Sequence, residues 1–210
     1  MEEKKESIFP IDIRIQDVRE AIKEGKDIRE FVFEEYIVTN LDSPYFLLHF
    51  TFLLLKITVI KVFSYTLIKE DTFPDPKEAP DERTKLLWQL RRECRGLIFS
   101  KEGKVLARRF HKFFNLNEKK ETKLENIPFS SSTKYVLLTK LDGSMISPFL
   151  LNDSVVWASK KGPSPVATSV TEYVTDLEKQ GSEMKYNLFV RDMFEKGNTI
   201  MFEWWYIVTY

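Results

Sequence analysis

The chain has 210 residues, of which 43% are hydrophobic and 14% aromatic, enough apolar material for one globular domain. Its 32 basic and 32 acidic side chains balance, so net charge alone predicts neither a nucleic-acid nor a membrane partner. A single cysteine, Cys94, excludes an internal disulfide framework, and the N-terminus lacks the layout of a secretory signal peptide. We therefore expect an intracellular protein, cytoplasmic or nuclear.

Positive charge is concentrated in the middle of the chain. Between Arg83 and Lys123, thirteen basic residues stand against four acidic ones, whereas the preceding part is net acidic. Such a segment suits a phosphate-rich ligand, although a solvated face without any partner produces the same pattern.

The first part of the chain predicts one helix and then an unusual apolar run. The stretch from Gln16 to Glu24 places its apolar residues on one helical face, and Gly25 supplies a stop. Residues 43–62 form an atypical apolar insert. Its β-branched second half, ITVIKV, favours buried strands, and a membrane helix remains the alternative. The proline-rich and acidic segment DTFPDPKEAPDE then predicts a loop.

Paired strands are predicted from residue 95 onward. RGLIFS and KVLARRF flank a short turn, and KYVLLTK and SMISPFLL flank Leu141-Asp142-Gly143. SVVWASK follows Asn152-Asp153 as a further strand. Turns this short connect antiparallel neighbours.

Two helices and a last strand complete the pattern. Ser169 and Glu172 form a predicted capping box, followed by an apolar stripe that ends near Gly181. A second helix is predicted from Tyr186 to Glu195, and NTIMFEWWYIV reads as the final strand. The expected fold class is α+β, with antiparallel β-sheets flanked by helices in one domain over residues 1–210.

Lys140 is the sharpest candidate for chemistry, since it lies between a predicted apolar strand and a tight Asp-Gly turn. The ordinary pKa of a lysine is about 10.4, so the amine becomes a nucleophile only when it is desolvated or placed beside other cations. The apolar run YVLLT is expected to supply such burial. Taken alone, so short a motif is weak evidence, and without further support the favoured interpretation is an exposed lysine that begins an Asp-Gly hairpin.

The motif occurs in a distinctive order with other segments. Glu93-Cys94-Arg95-Gly96 comes first, HKFFNLNE follows at 111–118, and the lysine motif KLDGS is next. SKKG at 159–162 and TIMFEW at 199–204 come last. From roughly residue 63 to the C-terminus, this order resembles the bacteriophage T-even RNA ligase 1 family.

The resemblance implies an ATP-dependent RNA ligase with a nucleotidyltransferase (ATP-grasp-like) adenylation domain. Lys140 would take AMP from ATP with the help of Mg²⁺, AMP would pass to an RNA 5′-phosphate, and a 3′-hydroxyl would seal the strand. The implied partner is RNA with such ends, tRNA among them, in RNA repair or splicing. We expect a monomer without membrane attachment.

The resemblance also assigns nucleotide contacts to seven further residues: Arg95, Lys112, Phe114, Asp142, Gly143, Lys161 and Glu203. The three cations match positions that neutralise phosphate charge. Phe114 matches the position that stacks on adenine, so its neighbour Phe113 is expected to face inward.

The remaining assigned residues shape the nucleotide site. Glu203 matches the glutamate that engages the ribose, Asp142 is expected to shape the turn, and Gly143 to let the backbone approach the nucleotide. His49, His111 and Cys94 lack metal-ligand spacing, so no protein-bound metal site is predicted. Mg²⁺ is expected to bind largely through the nucleotide phosphates.

The sequence departs from the family pattern at its end. The family places another acidic residue and a K-x-K lysine pair after the glutamate strand, whereas the sequence ends at Tyr210 without them. We therefore expect an adenylation domain that is incomplete at the C-terminus. Two alternatives remain: a related DNA ligase or mRNA capping enzyme, which share the lysine motif, and a catalytically incomplete RNA-binding remnant. RECRG and KFFNLNE favour the RNA ligase branch.

Overall fold

The structure is a computed structural model that describes residues 9–40, 53–127 and 136–205, with the backbone alone for 35–40 and 53–57. Within these ranges the chain forms seven β-strands and four α-helices. In chain order they are α1 (Ile15–Ile22), β1 (Ile28–Asn40), β2 (Leu53–Tyr65), α2 (Glu82–Glu93), β3 (Arg95–Ser100), β4 (Val105–Ala107), β5 (Ser144–Leu151), β6 (Ser154–Ser159), α3 (Pro165–Lys179), α4 (Tyr186–Glu195) and β7 (Phe202–Trp204). Short 3-10 helices span Pro76–Glu78, Lys120–Thr122 and Leu124–Asn126.

The described strands form two antiparallel sheets. Sheet A has the strand order β1-β2-β3-β4, and sheet B has the order β6-β5-β7. Every pair of neighbouring strands is antiparallel. The predicted α+β class with antiparallel sheets is therefore confirmed.

Three apolar cores hold the layers together. Phe63 and Phe99 of sheet A meet edge to face, with ring centroids 5.5 Å apart, in the core beneath α1 and α2. Because successive side chains of a strand point to opposite faces, their neighbours Val62 and Ile98 pack on the other side, against Phe149 of sheet B. The far side of sheet B is covered by α3 and α4. The layers therefore run from α1 and α2 through sheet A and sheet B to α3 and α4.

Part of the predicted apolar insert lies in a strand. Residues 53–62 belong to β2, which pairs with β1 on one edge and β3 on the other, so the strand interpretation of ITVIKV is confirmed. Residues 43–52 lie outside the described residues. In the part of the chain that the structure describes, no helix is long and apolar enough to cross a membrane.

The strand predicted before the lysine motif is wrong for residues 136–140, which form no strand. Residues 134 and 135 lie outside the described part of the chain. The N-terminal end of β5 pairs instead with the distant strand β7, where Ser144 lies opposite Trp204. A pairing between distant segments thus replaces the expected local hairpin.

The ends of the helices are set by residues that the sequence patterns did not identify. α3 begins earlier than predicted, because the Ser164 hydroxyl accepts a hydrogen bond from Ala167 N at 3.2 Å and Pro165 occupies the first turn. Ser169 therefore lies inside the helix and is not its cap. α2 was not predicted at all, although Asp81 caps it by accepting from Thr84 N at 2.8 Å.

Replacing Leu90 with alanine is expected to lower the free energy of unfolding by about 2–5 kcal/mol, because this α2 side chain is fully buried and its loss leaves a cavity. Urea denaturation measures the change. Leu188→Ala makes the same truncation in α4 at an exposed position, where we expect a loss of about 0.5 kcal/mol or less. Equal losses in the two variants would contradict the assignment of Leu90 to the core.

Candidate active site

Lys140, Asp142 and Gly143 lie in the loop that leads into β5, and Glu203 comes to them from β7. The two strands pair so that Met145 lies opposite Glu203. A Cβ atom at Gly143 would lie only 2.4 Å from the carbonyl oxygen of Trp204 and 3.2 Å from Glu203 Oε1. Only glycine permits so close an approach between the lysine loop and the last described strand.

The Lys140 amine is exposed and charged. Its Nζ donates a hydrogen bond to the Asp142 carboxylate. This hydrogen bond, together with the charges of Asp142 and Glu203, raises the pKa of Lys140 above its ordinary value. The predicted burial by YVLLT is wrong for its described residues, since the exposed fractions of Val136, Leu137 and Leu138 are 78%, 91% and 83%. Nothing in this arrangement alone activates the amine.

Arg95 connects sheet A to the lysine loop. It is the first residue of β3, and its guanidinium donates to Met145 Sδ at 3.2 Å. The same guanidinium lies 5.0 Å from the centre of the Phe113 ring. Because Met145 pairs with Glu203, Arg95 lies next to the strand pair that carries Glu203.

Lys112 and Phe114 form the next part of the site. Lys112 Nζ donates to the Phe113 carbonyl and lies 4.1 Å from the centre of the Phe114 ring. Burial lowers the pKa of Lys112, and the positive charges of Arg95 and Lys119 act in the same direction, whereas Glu118 opposes them. Several cations therefore share a small volume, as binding of a polyanion requires.

The two neighbouring phenylalanines do not face the sides that were predicted for them. Phe113 was expected to face inward, but its side chain is exposed. Phe114 is half-buried at the edge of the core, with its ring centroid 6.2 Å from that of Phe73. Both line a cavity of about 320 Å³ next to Lys112. In this structure the more exposed aromatic face is that of Phe113.

Tyr65 and Lys160 also belong to this site. No sequence motif identified Tyr65, and the SKKG motif contains Lys160 but its role was assigned to Lys161. Lys160 Nζ lies 4.0 Å from the centre of the Tyr65 ring, at the end of sheet A where β2 ends. Lys161 is exposed, and its backbone N–H donates to Ser159 Oγ at 3.3 Å. Of the two neighbouring lysines, Lys160 therefore contacts Tyr65, whose charge also acts on Lys112, and no such contact of Lys161 occurs within the described chain.

The glutamate of RECRG has a structural partner. Glu93 is buried, and its carboxylate accepts two hydrogen bonds from Arg108, at 2.7 and 3.0 Å. Arg108 also donates to the carbonyl oxygen of Pro10 at 2.9 Å. The motif thus joins the end of α2 to the segment that leads into HKFFNLNE, which keeps Arg95 and Lys112 near each other.

Comparison with known proteins decides the family. The sequence profile of an RNA ligase family of the T4 type matches residues 93–207, more than half of the chain. This chain belongs to the T4 RNA ligase 1-like family. The matched region of this RNA ligase family member contains all eight residues assigned to the nucleotide site, from Arg95 to Glu203.

A similar protein is known from Thermovibrio ammonificans, under the name "Putative RNA ligase". It is 34% identical to this chain over 120 residues, which are 54% of this chain and 28% of the relative. The match therefore spans little more than a quarter of the relative's length.

His111 is expected to make stability sensitive to mild acid. Its ring lies 4.0 Å from that of Phe9, and burial lowers the pKa of His111 below its ordinary value. The unfolded chain therefore binds the proton more readily than the folded chain does. The contribution of His111 to the free energy of unfolding is full above about pH 6.5 and is lost as the pH falls below this value. His111→Gln should weaken this dependence in urea titrations at a series of pH values. If the free energy of unfolding changed equally with pH in the wild type and in His111→Gln, His111 would not contribute.

Asp142→Asn is expected to lower the pKa of Lys140, because it removes the carboxylate that holds the ammonium form. Reductive methylation followed by mass spectrometry should then find faster modification of Lys140 at mildly alkaline pH. Lys120 provides the control in the same sample, since its pKa is raised in the same way by Glu78 and its reactivity should not change. An unchanged rate at Lys140 would contradict the assigned ion pair.

Proposed function

We propose that this chain is the adenylating part of an ATP-dependent RNA ligase in which Lys140 is the nucleophile. The observation that carries the proposal is the convergence of Lys140, Asp142 and Gly143 with Glu203, about sixty residues later in the chain. A nucleotidyltransferase needs a lysine amine beside polar groups that bind the nucleotide. Family membership supports the same assignment.

The proposed reaction begins with the neutral amine of Lys140. Its nitrogen attacks the α-phosphorus of ATP, the N–P bond forms, the bond from the α-phosphorus to the bridging oxygen breaks, and pyrophosphate leaves while the amine proton passes to solvent. An oxygen of an RNA 5′-phosphate then attacks the same phosphorus and releases the lysine. Finally a 3′-hydroxyl attacks the activated 5′-phosphate, so that AMP leaves and the strand is sealed.

The cations of the site are suited to the first step. Charge accumulates on the phosphate oxygens as pyrophosphate leaves. Arg95 and Lys112 lie close enough for their charges to interact, and Lys160 joins them through its contact with Tyr65. Mg²⁺ bound largely through the phosphates would supply further positive charge beside Asp142 and Glu203 and so favour the neutral amine of Lys140. The oxygen-rich, cysteine-free surroundings of Lys140 suit this hard cation.

The other assigned residues have roles that follow from their positions. Glu203 is exposed next to Gly143 and can accept hydrogen bonds from ribose hydroxyls. Phe114 and Phe113 offer aromatic surface to a base, Phe113 with the larger exposed area. Lys161 remains a proposed phosphate ligand, although Lys160 is the lysine that contacts this part of the structure.

Incubation with Mg²⁺ and ATP labelled at the α-phosphate, followed by denaturing electrophoresis, tests the proposal. Label should remain on the wild-type chain and disappear from Lys140→Ala, because the phosphoramidate survives denaturation and needs the amine. Lys196→Ala is the matched control, since Lys196 is an exposed lysine paired with Asp192 on the opposite side of sheet B. A folded wild type without label would contradict the proposal.

The acceptor separates the candidate enzymes. A labelled chain that passes AMP to a 5′-phosphorylated RNA, tRNA fragments included, and not to the equivalent DNA supports an RNA ligase. Transfer of AMP to DNA supports a DNA ligase. Label taken from GTP instead of ATP and passed as GMP to an RNA 5′-diphosphate supports a capping enzyme. An RNA-binding remnant is the second candidate, favoured by the exposed and ion-paired Lys140 beside an intact group of cations. Salt-sensitive RNA binding without AMP transfer would support that candidate.

A further inference from the structure

Arg109 carries a buried guanidinium that joins the two sheets. It follows β4 by two residues in sheet A, and its Nη1 donates to the carbonyl oxygen of Ser159 at 2.8 Å. Its Nη2 donates to the carbonyl oxygens of Ser147 and Ala158 at 3.3 and 3.4 Å. All three acceptors belong to β5 and β6 of sheet B. A single planar group thus fixes three backbone positions across the interface.

The position of Arg109 explains the glycine of RECRG. A Cβ atom at Gly96 would lie 2.1 Å from Arg109 Nη1 and 2.7 Å from the carbonyl oxygen of Lys160. Gly96 also has a φ of +85°, which side chains rarely adopt. The guanidinium therefore passes beneath the backbone of β3 through space that only glycine leaves open.

The contacts of Arg109 lie directly below the cationic part of the candidate site. Two of its acceptors, Ala158 and Ser159, immediately precede Lys160. Gly96, which covers the guanidinium, immediately follows Arg95. Arg95 belongs to sheet A and Lys160 to the end of sheet B, so the distance between these two cations depends on how the sheets are held at this point.

The arrangement is not explained by stability alone. Burial of a cation without a carboxylate partner costs free energy, and apolar side chains usually hold two sheets together at lower cost. Burial and the nearby charge of Arg95 lower the pKa of Arg109 to about 10, and among the described residues its Nε has no hydrogen-bond partner. The planar guanidinium does, however, hold its N–H donors in a rigid arrangement, and so it fixes the relative position of its acceptors more closely than apolar contacts would.

We propose that Arg109 is a positioning residue: through its three carbonyl contacts it sets Lys160 against Arg95 so that both cations reach one polyphosphate. The inference rests on the proposed function for the identity of that ligand as the triphosphate or pyrophosphate. Arg109 itself does not touch the ligand. Its effect passes through the backbone at the end of β6, and the fork geometry matters more than the charge.

A double-mutant cycle on inorganic pyrophosphate binding, measured by calorimetry with the full chain, tests this inference. Lys160→Ala should weaken binding by roughly tenfold or more, the usual value of one charge-assisted contact. Arg109→Met should weaken binding to a similar extent, and the double variant should bind no worse than Arg109→Met alone. Once Lys160 is misplaced, its removal has nothing further to weaken.

Two comparisons separate positioning from loss of stability and from charge. Val190→Ala destabilises the fold from the core on the far side of sheet B, away from these contacts, and should leave pyrophosphate affinity unchanged. Arg109→Lys keeps the charge without the planar fork, so it should bind as weakly as Arg109→Met and show the same coupling to Lys160. This conservative variant also keeps the test valid if Arg109→Met does not fold.

Several outcomes would overturn the inference. The first is a pyrophosphate affinity of Arg109→Lys equal to that of the wild type. The second is a double variant whose loss of pyrophosphate affinity equals the product of the losses in Arg109→Met and Lys160→Ala. The third is a wild type that does not bind pyrophosphate. A wild type that shows the expected coupling but forms no lysyl-AMP would refute the proposed function and leave the positioning role of Arg109 intact.

Discussion

Contact between the two sheets is the constraint on which the candidate site depends. Val62 and Ile98 of sheet A lie against Phe149 of sheet B, and this apolar layer brings together segments that are far apart in the chain. Arg95 and Lys112 come with the first sheet, whereas Lys140 and Glu203 come with the second. Neither sheet carries the whole set. The spacing between Lys140 and these cations is therefore a property of sheet packing.

Charge is divided across this interface. The side of sheet A presents cations, among which Lys112 is partly desolvated, and the lysine loop of sheet B presents the carboxylates of Asp142 and Glu203 around Lys140. The proposed nucleotide, with its negative phosphates and ribose hydroxyls, would match both halves. The two carboxylates favour the protonated amine of Lys140.

The sequence predicted local elements well and distant contacts poorly. Strand β5 was predicted with its bounds and β6 to within one residue, because apolar residues run up to a turn at Asn152 and Asp153, which both adopt positive φ. The order of short motifs predicted the family. Periodicity carries no signal for the pairing of β5 with the last strand, which displaced the expected hairpin at 136–140. Nor does it distinguish Lys160 from Lys161, since that choice depends on the ring of Tyr65 in another sheet.

Gly143 has a consequence for how such proteins can vary. The atom that glycine lacks would collide with the Trp204 carbonyl, so the lysine loop and the last strand meet backbone to backbone. An added methyl group there would push away the strand that bears Glu203 while leaving Lys140 chemically intact. A side chain at this position would therefore separate Glu203 from the lysine loop and disrupt the pairing of β5 with β7, so retention of the lysine alone does not show that a related chain still brings these groups together.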